Sequence, residues 1–289
     1  MLALGGYGLF GVILDADIQL VDNEVYTLEN QDLDYRDFTA YYRTRVAGDD
    51  KVGLMYARLS VSPTSYLRET AVHVYRKTDF NGQIPPIQAS THDRLDRFVI
   101  NFSKTGGLGR WVRWTLEKRF APKLHTCLSR NQATVQKEAC LVSRNEEMND
   151  SMAYLKNQLN DTDILQEYFI PQDRMPEFVD GLRSMARQDG SNLLNVTIRV
   201  VQKDGVTAFV LYFNQRLNDK ECRILRKTTV DLIDLAISLR GTFYLPYQLY
   251  YSSEQLRQAY PEIDAFFLAK QRFDPERLFS SKFYEKYAQ

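Results

Sequence analysis

The sequence predicts an α+β fold: an antiparallel sheet covered by helices. Three observations carry the prediction. Leu193–Val201 and Thr207–Phe213 read as strands, the first alternating over Asn195–Val200, joined by Lys203-Asp204-Gly205, a β-hairpin turn sequence. Stretches of helical length, Asp173–Arg187 and Asp219–Leu239, lie between strands, with Asp173 placed to cap the first of them. Charged and apolar residues are interspersed over 289 residues, and the 44% apolar content suffices for a substantial core.

The remaining elements follow in chain order. A glycine cluster, Gly5 to Gly11, runs into Val12–Val21, which alternates like a strand with Leu14, Ala16, Ile18 and Leu20 on one face. A polar segment leads to a helix over Tyr35–Val46. Val52–Val61 and Thr70–Tyr75 read as strands, Gly82–Asp93 as a loop, and Gly106-Gly107-Leu108-Gly109 opens a helix running through Phe120. Pro122 to Asn160 shows no clear periodicity. Ile164–Ile170 and Thr242–Leu245 are strands, and Glu254–Tyr260 and Ile263–Arg272 are helices. Asp274-Pro275 reads as a helix start, and no internal repeat is visible.

Composition excludes several function classes. Equal numbers of acidic and basic residues, 37 of each, give no charge for general nucleic-acid binding. No apolar run is long enough to span a membrane. Cys127, Cys140 and Cys222 form no metal or redox pair and read as buried free thiols, which suits a cytoplasmic protein. His73, His92 and His125 have no metal-ligand spacing, so no metal site is expected. Trp111 and Trp114 point to a core face of their helix, and Arg110, Arg113, Lys118 and Arg119 to a solvated one.

Two features carry chemistry. Gly6-Tyr7-Gly8-Leu9-Phe10-Gly11 fits GxGxxG, but a strand follows it where a dinucleotide fingerprint needs a helix. What remains is a backbone that approaches something closely, either packed backbone or a cofactor. Polar residues are also planted in apolar strands: Glu167 in Ile164–Ile170, Asn195, Thr197 and Arg199 on one face of theirs, and Tyr244 and Tyr247 around Pro246. A half-solvated sheet produces the same alternation. A cleft lined by one acid, one base and phenols is the functional reading.

Taken in order, these residues resemble the vanillyl-alcohol oxidase (PCMH-type) family of FAD-linked oxidoreductases. Gly5–Ile13 is similar to the closing segment of the family's FAD-binding domain. Gln166–Pro171, Gly241–Tyr244, and Tyr260-Pro261 with Phe273–Phe279 resemble its substrate domain, nearest to decaprenylphosphoryl-ribose oxidase and the sugar-alcohol and aldonolactone oxidases. The resemblance implies a remnant of the FAD-binding domain over residues 1–30 and a substrate-binding cap domain over 31–289. The N-terminal FAD-binding half would be a missing partner.

It further implies hydride transfer from a CH–OH carbon of a sugar-like or polyol substrate to the flavin. Glu167 and Tyr244 would be the catalytic residues, with Arg199, Asn195 and Tyr247 at the substrate. Gly6, Gly8, Gly11, Val12 and Ile13 would lie along the FAD. Tyr247 stands where ribose-oxidase-like members carry lysine, a departure that bears on substrate. Two alternatives stay open: a C=C reductase like the sterol reductases, and a non-catalytic binding module that self-associates where the missing half would dock.

Overall fold

Alternating apolar residues build the sheet, and which face they occupy decides where the helices go. The structure, a computed structural model, describes residues 4–20, 24–79, 93–119, 141–143, 160–201 and 205–288. Its strands are β1 (Val25–Asp34), β2 (Val52–Leu59), β3 (Glu69–Lys77), β4 (Leu141–Ser143), β5 (Asp161–Pro171), β6 (Asn192–Val201), β7 (Val206–Arg216) and β8 (Thr242–Phe243). They form one eight-stranded sheet in the order β4-β1-β3-β2-β6-β7-β5-β8. Every neighbouring pair is antiparallel.

The strand order contains a repeat that the sequence hides. Twice the chain runs strand, short 3-10 turn, helix, strand, strand: β1, Tyr35–Asp37, α1 (Phe38–Arg45), β2, β3; then β5, Gln172–Arg174, α4 (Met175–Gln188), β6, β7. The units meet at β2 and β6 and are related by an approximate two-fold axis between those strands. Their junction is short, with only Ala57–Leu59 facing Val196–Ile198. Within the second unit, β5 pairs with β7 along its whole length.

One sheet face is the core. Val72, Val74, Val196, Ile198, Phe209, Leu211, Tyr168 and Ile170 are buried there under α1, α4 and α5 (Asp219–Ser238), with Phe178 of α4 and Leu232 of α5 at the centre. Fully burying side chains of this size contributes about 1.5–3 kcal/mol each. Gln166 also points to this side, and its amide donates to Thr229 Oγ1 at 2.6 Å and accepts from Tyr168 Oη at 2.8 Å. A C-terminal layer of α6 (Ser253–Ala259), α7 (Ile263–Phe273) and α8 (Lys282–Tyr287) packs around Phe243, Leu245 and Tyr251.

A helical hairpin, α2 (Asp93–Lys104) and α3 (Gly107–Arg119), covers part of the opposite face. The expected solvated basic face anchors it instead. Arg113 donates to Leu194 O at 3.0 Å, Arg110 to Asn192 Oδ1 at 3.2 Å, and Lys118 pairs with Asp32 and Glu69. Trp114 is buried and donates to Glu69 at 2.8 Å, while Trp111 is exposed.

Several sequence expectations need correction. Val12–Leu20 forms no strand: no described strand pairs with it, and Leu14, Ile18 and Leu20 are 91%, 78% and 85% exposed. Alternation alone cannot make a strand without a ladder partner. The polar segment before the first helix is β1, and a boundary at residue 30 falls inside it. Asp173 lies in the 3-10 turn and caps nothing. Asp274 ends α7 rather than starting a helix: it pairs with the buried Lys270 and accepts the Leu278 and Phe279 amides at 2.9 Å. Cys222 is exposed, because its helix turns that side to solvent. His92, His125, Cys127, Cys140, most of the 82–93 loop and Lys203-Asp204 lie outside the described residues.

Candidate functional site

In antiparallel ladders, directly opposed residues share a face. Thr197 of β6 opposes Val210 of β7, and Val210 opposes Glu167 of β5. The row continues beyond β8, where the Tyr244 amide donates to Glu167 O at 2.9 Å. One row further on, Arg199 opposes Ala208, which opposes Phe169. Glu167, Arg199 and Tyr244 therefore meet on the face away from the core. Between Arg199 and Phe169 in that row stands only the small side chain of Ala208.

The electrostatics agree with this register. Burial raises the Glu167 carboxyl above the ordinary glutamate range, and Arg199 partly opposes the rise. Tyr247 is raised by burial, then by Glu167 and Tyr244, and is partly drawn back by Arg199. Tyr244 and Tyr247 stack edge to face with ring centroids 5.1 Å apart. These four side chains form one electrostatic group. Among the described residues, no side chain hydrogen-bonds to the Glu167 carboxylate or forms an ion pair with it at 4.0 Å or less, so it is free to accept a proton or hydrogen bond from a ligand.

Asn195 belongs to the group less closely. It sits at a β6 bulge opposite Tyr212, and its amide donates to Thr197 Oγ1 at 2.9 Å.

The glycine run reaches the same place by another route. Leu9 is fully buried in the core; Tyr7 packs on Phe266 and Phe283, and Phe10 on Phe266 and Phe273. Burial raises the Tyr7 phenol, and Tyr244 adds to that rise, which sets Tyr7 beside the patch. Tyr7 was not singled out by sequence reasoning; its signal was an aromatic between glycines. Gly6 is buried, and its carbonyl accepts the Leu9 amide at 2.9 Å. Gly8 and Gly11 have φ of +72° and +143°, while a Cβ on either would meet no atom within 4 Å. Backbone conformation, rather than close packing within the chain, explains these glycines.

Val12 and Ile13 are exposed beyond the run. Within residues 8–13, Leu9 is buried and Phe10 packs on Phe266 and Phe273, so only Gly8, Val12 and Ile13 are exposed. Among the described residues no loop wraps a pyrophosphate, and these residues alone do not fit a flavin.

The two-fold repeat supplies an internal comparison. The residues of the first unit equivalent to Arg199, Ala208 and Glu167 are Arg58, Ala71 and Asn30. There the face is closed: Arg58 pairs with Glu117 of α3 at 3.1 Å, and Asn30 bonds His73 at 2.6 Å. In the second unit the equivalent patch lacks such a cover among the described residues. Among those residues no group of three or more His, Cys, Asp or Glu is placed to hold a metal ion, and no helix is long and apolar enough to cross a membrane. No model of a known protein family matches the chain, and no curated protein sequence does.

Proposed function

We propose that this chain is the substrate-binding part of an FAD-dependent oxidoreductase that oxidises a CH–OH group of a sugar-like or polyol substrate. The observation that carries the reading is the uncovered patch of Glu167, Arg199, Tyr244 and Tyr247, with Tyr7 of the glycine run at its edge. The flavin, when bound, would accept the hydride. This chain's side chains would do the rest. Glu167 is the base: burial raises the pKa of its half-buried carboxylate, which makes it a better acceptor for the hydroxyl proton. Arg199 limits that rise and orients a second substrate oxygen. Tyr247, its phenol pKa raised by burial, keeps its proton at neutral pH and can donate it in a hydrogen bond to the substrate.

The rest of the flavin site would come from a companion FAD-binding half. The exposed apolar arm Val12–Leu20 supports that partnership, because a sheet in the companion would give it the ladder it lacks. The same arm supports a second reading, a binding module that docks by strand addition without chemistry, or pairs with a copy of itself.

Titration of the purified chain with FAD and with polyols, followed by flavin fluorescence and by NMR of the Glu167 and Tyr244 signals, tests the proposal. Polyols are expected to shift both signals, and FAD, without the companion half, to shift those of the glycine run weakly or not at all. Glu167→Gln and Tyr244→Phe are expected to weaken polyol binding with the fold intact. Signals unmoved by either ligand would overturn the oxidoreductase reading and leave the binding module.

A further inference from the structure

At the end of the strands remote from Arg199, the β2–β3 loop, the α2–α3 turn and the start of α5 enclose a cleft of about 590 Å³. Cavities of this size suit a small metabolite. Its charges are not balanced by its own residues. Lys104 is already engaged, with Asp163 at 3.0 Å and Asp161 at 3.6 Å. Arg110 donates one nitrogen to Asn192, but its Nε is buried without an acceptor. Arg187 lies over the Tyr66 ring at 5.6 Å, and among the described residues no carboxylate comes within 4.0 Å of it. Both guanidiniums line the cleft together with Tyr66, whose phenol they draw back from its rise on burial.

Ser191 is 7% exposed, lines the same cleft, and its Oγ has no hydrogen-bond partner. A buried donor without a partner costs about 1–3 kcal/mol. Glu221 is the one acid among the lining residues, which also include Arg216 at the end of β7. Two guanidiniums with no carboxylate partner among the described residues, and a hydroxyl around the same space, are the donor set of a phosphate site. A lone carboxylate beside them accepts from a hydroxyl on the same ligand.

We propose that this cleft binds a hydroxylated phosphomonoester, its phosphate held by Arg110, Arg187 and Ser191 and its hydroxyl by Glu221. The site stands apart from the Glu167–Tyr244 patch, so its success or failure leaves the flavin reading untouched.

Calorimetry of the whole chain at constant ionic strength, with glycerol 3-phosphate and with inorganic phosphate as probes, tests it. Saturable binding of both is expected. Arg187→Gln, at an exposed position that does not endanger the fold, should weaken both about tenfold or more, roughly the loss of one charge-assisted hydrogen bond. Arg110→Lys should weaken both, and Glu221→Gln should weaken glycerol 3-phosphate alone. Arg240→Gln, at an exposed position elsewhere, should change nothing. Vesicles of phosphatidylcholine with phosphatidate distinguish the sources: retention of the chain assigns the phosphate to a lipid headgroup, and no retention to a soluble ester. No saturable binding of either probe, or equal binding by Arg187→Gln, would overturn the site. A Glu221→Gln variant that binds glycerol 3-phosphate unchanged would overturn the hydroxyl assignment.

Discussion

Glu167 sits half-buried in a strand where a threonine or valine would pack at no electrostatic cost. Its pKa is raised by burial, and the sign of the consequence for stability follows. Below its unfolded pKa, about 4.3, both folded and unfolded states carry the proton and the residue costs nothing. As pH rises through the higher folded pKa, the fold must hold a charge it disfavours, and the cost is full above that value. Glu167→Gln is therefore expected to raise Tm at pH 7–8 by about 1–3 °C, with the gain closing as pH falls to about 4. Thermal denaturation of both proteins across that range checks it, and a Tm lowered at pH 7 would mean that the carboxylate stabilises the fold. A residue that stabilises the fold when removed and binds ligand when present is held for function.

Among the elements, the α2–α3 hairpin depends on one close approach. A Cβ on Gly109 would run into the Phe102 carbonyl, so the glycine lets α3 begin directly against the end of α2. Gly109→Ala is expected to cost about 1–3 kcal/mol through overpacking. It should also loosen Trp114 from Glu69, read as a red shift in tryptophan emission together with a lower urea midpoint.

The elements also show what was legible. The β6–β7 pair, α4 and α5 were read nearly to their ends, because their apolar periods are set by the one core they share. β1 goes unmarked in the sequence because polar residues interrupt both of its faces: Thr27, Glu29 and Gln31 on one, and on the other Asn30 and Asp32, which bond His73 and Lys118. The arm at 12–20 failed the opposite way, with a strand's pattern and no described partner. Glu167, Arg199, Tyr244 and Tyr247 were legible as polar residues in apolar surroundings, whereas Tyr7 joins them only through packing of the C-terminal helices.

For the whole molecule, the seam between β2 and β6 joins two units that share a continuous core on one face. Ile198 is fully buried at that seam, opposite Ala57. Ile198→Ala should cost about 2–5 kcal/mol, as large-to-small core changes do. Because the core crosses the seam, both units should lose stability together. Tyrosine signals from the first unit and from the second are expected to move to the same lower denaturant midpoint. Separate midpoints would mean that the units unfold independently.

The paired architecture has a consequence for how such a surface can arise. Two stretches of one topology, set about a common axis, give a lineage two copies of the same sheet face to work with. One copy has been sealed, its arginine answered from within by Glu117 of a covering helix. That settled copy frees its twin from having to be stable on its own account. Arg199 and Glu167 can then change without loss of the scaffold, which the sealed half keeps in place.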